Sequence, residues 1–175
     1  MKTGLHSLLN LRLSDLDIEF EIRPAEKPDV AHLEILINAS AFQTNGDGQL
    51  LPLSKKEIET LVNQGAFYCA WDGINLIGCV SIVEYSGLVE LRSLIVSRSH
   101  RSHGVGQSLI HTAMKAAKSK GYKELLALTN ASAIPLFEAT GFRKEPRPPE
   151  KLARDCARCP LLHEGCIEEA VVANL

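Results

Sequence analysis

The chain has 175 residues, with 19 Lys and Arg against 21 Asp and Glu and a formal net charge of −2 at pH 7. That length suits one domain able to bury a core of its own. The charge balance gives no electrostatic footprint for nucleic acid, and no apolar run approaches the length of a membrane span.

The leucine-rich start is broken by Gly4, His6, Asn10 and Arg12 and has no small-residue cleavage site, so no signal peptide is expected and the expected location is cytoplasmic. Residues 18–23 alternate apolar and charged side chains, the pattern of a half-buried strand, and Pro24 interrupts it. Pro28 and Asp29 open a helix with Val30, Leu33, Leu36 and Ile37 at helical spacing. The loop from Asn38 to Pro52 joins it to the next helix and is the expected substrate lid. Ser54-Lys55-Lys56-Glu57 has capping-box form and starts a short helix to about Asn63. Strands over 67–71 and 76–85 follow, joined by the hairpin signal Asp72-Gly73, and Ser86-Gly87 leads into a strand over 88–96. Cys69 and Cys79 fall inside these strands and read as small buried hydrophobes. A helix over about 104–120 carries Val105, Leu109, Ala113, Ala116 and Ala117 on one face and stops at Gly121. A strand over 124–128, a helix over 132–140 ended by Gly141, and a last extended piece at Phe142-Arg143-Lys144 complete the pattern. Pro146, Pro148 and Pro149 then break it.

This order predicts an α+β (mixed α/β) fold. A single domain holds a central mixed, mostly antiparallel sheet with helices on both faces. The expected organisation is an extension over 1–17, the domain over 18–145 and a tail over 146–175.

Within that frame, Arg101-Ser102-His103-Gly104-Val105-Gly106 lies between a strand and a long helix. Successive backbone N–H groups there can converge on a pyrophosphate, backed by the helix dipole and the Arg101 charge. The competing reading is an ordinary turn and helix cap. His103 lies in this loop, whereas His100 and His111 are expected to face solvent. Strand alternation places Glu90, Arg92, Leu94 and Val96 on one sheet face, and Val89, Leu91, Ser93 and Ile95 on the other.

The element order, the run from Leu91 through Gly106, and the block from Leu128-Thr129-Asn130 through Phe137 to Gly141-Phe142-Arg143 resemble the GCN5-related N-acetyltransferase (GNAT) superfamily. The resemblance covers roughly residues 18–144. Within the superfamily, Glu90-Leu91-Arg92-Ser93-Leu94 is similar to small free-amino-acid acetyltransferases. These include short N-acetylglutamate synthases and arsenic-resistance-associated members. The resemblance implies transfer of an acetyl group from acetyl-CoA to the amine of a small molecule, with glutamate as the first candidate. It also implies that Arg101, Ser102, His103, Gly104, Val105 and Gly106 hold the pyrophosphate. The backbone of Leu94, Ile95 and Val96 would pair with the pantetheine arm, an N–H near Leu94 or Ile95 would face the thioester oxygen, and Asn130 and Phe137 would line the far side.

Glu90 is the candidate general base, acting through water, and Arg92 the candidate carboxylate fork. The competing reading of the two is an internal ion pair that steadies the strand. Thr129, at a strand end, is a further candidate for substrate binding, against plain local hydrogen bonding. Many superfamily members carry a tyrosine where this chain has Phe137, which cannot protonate a leaving thiolate; Tyr85 and Tyr68 are the substitutes to consider. Five cysteines, an odd number, fit a reducing compartment. Three of them, Cys156, Cys159 and Cys166, are spaced to hold a zinc or a thiophilic metalloid, to form a redox pair, or to lie as ordinary thiols in a structural tail. A non-catalytic acyl-CoA-binding module and a protein N-acetyltransferase are the other functional readings, and a homodimer stays open.

Overall fold

The computed structural model describes residues 18–41, 50, 52–85, 87–146 and 169–175. Its elements run β1 (Glu21–Pro24), α1 (Val30–Ala41), α2 (Lys55–Asn63), β2 (Phe67–Asp72), β3 (Asn75–Tyr85), β4 (Leu88–Val96), α3 (Val105–Ser119), β5 (Glu124–Thr129), α4 (Ile134–Glu138), β6 (Arg143–Glu145) and β7 (Glu169–Asn174). All strands join one seven-stranded sheet, in the order β1-β2-β3-β4-β5-β7-β6. Every neighbouring pair is antiparallel except β4 and β5.

Short-range chemistry sets several of these ends. Asp29 accepts a hydrogen bond from the Glu26 N–H at 2.8 Å, just ahead of α1. The Arg23 guanidinium grips the same carboxylate from both nitrogens, at 2.7 and 3.0 Å, and holds the Asp29 carboxyl below its usual range. Arg23 also lies over the Trp71 ring, 5.1 Å from its centroid, so β1, β2 and the start of α1 are tied at one corner. At α2 the capping box forms as the sequence implies: Ser54 Oγ accepts from the Glu57 N–H, and the Glu57 carboxylate accepts from the Ser54 N–H.

The sheet is sandwiched. On one face α3 buries Val105, Leu109, Ile110, Ala113 and Ala117 against Ile77, Val80, Ile82, Val89 and Leu91. On the other, α1 and α2 bury Leu33, Ile37, Ile58 and Val62 against Phe67, Cys69, Cys79 and Ile95. Each fully buried Val, Leu or Ile side chain contributes about 1.5–3 kcal/mol relative to exposure, so two such layers hold the sheet firmly. Cys69 and Cys79 sit opposite each other in the ladder, and burial pushes the Cys69 thiol up to about 12 and Cys79 well above its ordinary value. Both side chains are buried within the sheet, as their strand context implies.

One strand was not visible in the sequence. Residues 169–174, expected in the tail, form β7 and enter the sheet between β5 and β6. The expected final strand at Phe142-Arg143-Lys144 is therefore the sheet edge. Cys156, Cys159 and Cys166, the extension 1–17 and most of the expected lid lie outside the described residues.

Gly78 controls how closely α3 seats on the sheet. A Cβ there would stand 2.8 Å from the Ile95 carbonyl oxygen and 3.1 Å from a Leu109 methyl. The carbonyl belongs to β4 and cannot withdraw without breaking the ladder. Gly78→Ala is expected to destabilise the fold by about 1–3 kcal/mol, read as a lower midpoint in denaturant; an unchanged midpoint would contradict this packing.

Candidate active site

β4 is the strand on which the site is built. It pairs with β5 at only two positions, Glu90 with Leu126 and Leu91 with Ala127. Beyond them β5 stays with β7, through Leu128 with Ala170 and Thr129 with Glu169. On its other side β4 stays with β3, so the two parallel strands part and the β5-facing edge of residues 92–96 has no strand partner among the described residues. An edge of that kind offers main-chain donors and acceptors to an extended ligand.

The parting coincides with a bulge. Ser81 pairs with Arg92 and Cys79 with Ile95, so Ser93 and Leu94 together oppose Val80. Ser93 takes φ +50°, the left-handed region that side chains other than glycine rarely adopt. The bulge also overturns the simple alternation expected for β4. Leu94 and Val96 pack with Val89 and Leu91 on the α3 face, while Ile95 packs on the α1/α2 face. Leu94 and Val96 therefore do not share a face with Glu90 and Arg92, because one extra residue reverses the period-2 pattern.

Glu90 and Arg92 remain together on the α1/α2 face. Glu90 is 5 % exposed, and its Oε1 lies 3.8 Å from Arg92 Nε. That separation is longer than a charge-assisted hydrogen bond, so Arg92 acts on Glu90 chiefly through its field. The Arg92 side chain is 41 % exposed, and its Nη1 donates to the Tyr85 hydroxyl at 2.6 Å. Arg92 also comes near the start of α2. There the Ser54 side chain, then its backbone N–H, hold the Glu57 carboxyl below its usual range, and the Arg92 charge adds to the effect. Of the two tyrosines considered for proton donation, Tyr68 packs on the α3 face and Tyr85 stands beside Arg92.

After β4 the chain turns through Arg98–His100 into α3. Ser102 and Gly104 have φ +66° and +80°, and Gly104 is the N-cap of α3 with no side-chain cap. The first intrahelical bond of α3 runs from the Ser108 N–H to the Gly104 oxygen, leaving the N–H groups of Val105, Gly106 and Gln107 ahead of the ladder. Arg101 Nε donates to the Val96 carbonyl at 3.2 Å, which folds its side chain over the end of β4. His103 Nδ1 lies 2.7 Å from the Arg101 carbonyl, so Nδ1 carries the proton and Nε2 faces away.

Residues at β5 and α4 are more occupied than the sequence suggests. Asn130 Oδ1 accepts from the Ser132 N–H, the Ser132 hydroxyl and the Ala133 N–H, which commits its carbonyl to the turn before α4. Phe137 is 3 % exposed and stacks edge-on against Phe142, with ring centroids 5.1 Å apart, as part of the core. Thr129 is buried at the end of β5. His100, expected in solvent, is instead partly buried. Its Nδ1 lies 2.7 Å from Ser97 Oγ and its Nε2 3.5 Å from Asp72 Oδ2, and this links the loop to the β2–β3 hairpin. Nothing in a single sequence pairs Asp72 with His100. Among the described residues no group of three or more His, Cys, Asp or Glu side chains could hold a metal ion, and no helix is long and apolar enough to cross a membrane.

An uncapped helix start behind two left-handed residues, adjoining an open strand edge, fits a phosphate-bearing extended cofactor. A Cβ on Gly104 would meet nothing within 4 Å, so that approach is open. The model of the Acetyltransferase (GNAT) family matches residues 36–142. An uncharacterized N-acetyltransferase of Chlorobaculum tepidum is 31 % identical over 135 residues, covering 74 % of this chain and 83 % of that protein. Among solved structures, N-acetylglutamate synthase from Neisseria gonorrhoeae, complexed with coenzyme A and N-acetyl-glutamate, superposes with a TM-score of 0.76 at 24 % identity over 90 % of this chain; the chain spans 35 % of that protein. Rv2747 from Mycobacterium tuberculosis, in complex with CoA and NLQ, superposes with a TM-score of 0.67 at 19 % identity, covering 89 % of this chain and 99 % of that one. At these identities the structural likenesses carry the fold, while the family match and the Chlorobaculum relative carry membership. The chain belongs to the GNAT family of acetyl-CoA-dependent N-acetyltransferases.

Proposed function

We propose that the chain acetylates the amine of a small carboxylate-bearing acceptor, an amino acid such as glutamate, at the mouth of the gap between β4 and β5. The observation that carries this reading is the pairing of buried Glu90 with half-exposed Arg92 on one face beside that gap. The complex of the Neisseria synthase with N-acetyl-glutamate supports the same acceptor class.

The roles follow from chemistry and position. Ser102, His103, Gly104, Val105 and Gly106 present main-chain N–H groups to the pyrophosphate, with Arg101 adding charge. The open edge of Leu94, Ile95 and Val96 takes the pantetheine arm, whose far side is met by the Asn130 amide and the α4 region around Phe137. Acetyl-CoA, when bound, supplies an acyl group activated as a thioester. Arg92 orients the acceptor through its carboxylate, using guanidinium N–H groups other than the one held by Tyr85. Glu90 takes the ammonium proton through a water, giving the neutral amine that attack requires. Phe137 cannot protonate the leaving thiolate, and that task is assigned to Tyr85, whose hydroxyl accepts from Arg92 and keeps its own proton to give. Thr129 borders the acceptor from β5.

Release of CoA over a panel of amines tests this directly. Amino acids are expected to be turned over and carboxylate-free amines to be poor acceptors. Glu90→Gln should lower kcat about 10²-fold, and Arg92→Ala should raise the acceptor KM at least about tenfold while the acetyl-CoA KM stays within about twofold. If no amine releases CoA while acetyl-CoA still raises the melting temperature, the chain is a binding module and this reading fails. A separate variant addresses the cofactor: Gly104→Val, strained at φ +80°, should raise the acetyl-CoA KM about tenfold and leave the acceptor preference unchanged.

A further inference from the structure

Ser81 and Cys79 are polar side chains placed in the middle of β3, both fully buried, where an aliphatic residue would pack as well. Each has a hydrogen bond, and both bonds reach the bulge. Ser81 Oγ donates to the Arg92 carbonyl at 3.1 Å, and Cys79 Sγ donates to the Ser93 carbonyl at 3.5 Å. The carbonyls of two consecutive peptides, Arg92–Ser93 and Ser93–Leu94, are therefore held on the β3 side of β4.

A trans peptide points its N–H opposite to its C=O. All peptide bonds among the described residues are trans. With both carbonyls held by β3 side chains, the N–H groups of Ser93 and Leu94 are turned away from Ser81 and Cys79. The left-handed φ of Ser93 keeps the two donors consecutive and close, the arrangement that makes an anion-binding concavity. A donor on a carbonyl also polarises its peptide and strengthens the N–H at the other end.

From this we infer that Ser81 and Cys79 are positioning residues for acetyl transfer: from behind the strand, they aim and strengthen the two bulge N–H groups that polarise the acyl carbonyl. Neither side chain touches the acyl group. The inference rests on the cofactor lying along the open edge of β4, as proposed above.

The test uses the carba(dethia) analogue of acetyl-CoA, a ketone in which a methylene replaces the thioester sulfur so that the acyl group keeps its place and cannot be transferred, and reads the ketone stretch by infrared difference spectroscopy on the full chain. In the wild type the band is expected to shift to lower frequency on binding. Ser81→Ala should bind the analogue within about threefold of wild type yet lose a large part of that shift, with kcat lowered about tenfold and the acetyl-CoA KM little changed. Cys79→Ser, which exchanges a weak S–H donor for a stronger O–H, should keep or deepen the shift, and Cys79→Ala should reduce it. A merely structural role would lower the melting temperature without moving the band. If the band sits at the same frequency in wild type, Ser81→Ala and Cys79→Ser, the inference is overturned. Should Ser81→Ala not fold, the two Cys79 variants decide it alone: identical bands overturn it, and a graded series supports it. If the wild type does not bind the ketone analogue at all, the cofactor placement fails and this inference falls with it; binding with an unmoved band leaves the cofactor placement standing and removes only the role of Ser81 and Cys79.

Discussion

The extra residue that β4 places opposite Val80 is the constraint on which the rest of this site depends. A strand without it would continue its ladder with β5 and close the sheet, and no main-chain donors would face a ligand. With it, β4 keeps its bonds to β3 and surrenders those to β5, so one edge of a central strand is open inside an otherwise complete sheet. The cost is a serine held at φ +50°, on the order of 1–2 kcal/mol for a side chain in that region. The hydrophobic layers on both faces, and the buried donors of β3, maintain that conformation.

The bulge also sorts the site electrostatically. By reversing the side-chain alternation it leaves Leu94 and Val96 to the α3 core and keeps Glu90 and Arg92 on the α1/α2 face. A carboxylate as buried as Glu90 is costly to desolvate, and the Arg92 guanidinium 3.8 Å away helps to offset that cost. Tyr85 accepts a hydrogen bond from Arg92, and the Glu57 carboxyl at the start of α2 lies within reach of the Arg92 charge, so polar groups of β3, β4 and α2 gather beside the open edge. The α3 start, without a side-chain cap and preceded by two left-handed residues, follows directly on the end of β4.

Much of this was legible in the chain itself because the signals are local. The capping box at Ser54 and Glu57, the Asp72-Gly73 hairpin, the α3 stripe ending at Gly121 and the Gly104/Gly106 loop each depend on a few neighbouring residues. What escaped depends on distant partners. β7 is separated from β6 by residues 146–168, and its run Glu169-Ala170-Val171-Val172-Ala173-Asn174 acquires meaning only through pairing with β5 and β6. The bulge escaped because Leu91 to Val96 continues to look like an uninterrupted strand, and a serine does not announce a left-handed φ as a glycine does. For the same reason Ser81 reads as an unremarkable strand residue until the Arg92 carbonyl is found in front of it. Asn130 and Phe137 also hold a turn and an aromatic core pair, contacts made with partners that their own positions do not reveal.

Amide hydrogen exchange with and without coenzyme A tests the central claim most directly, because the claim concerns main-chain donors. Saturating coenzyme A is expected to slow exchange at the amides of residues 92–96 and 102–107, while β1 and β2 exchange as before. Binding of coenzyme A that left 92–96 unprotected would contradict an open β4 edge as the cofactor's seat.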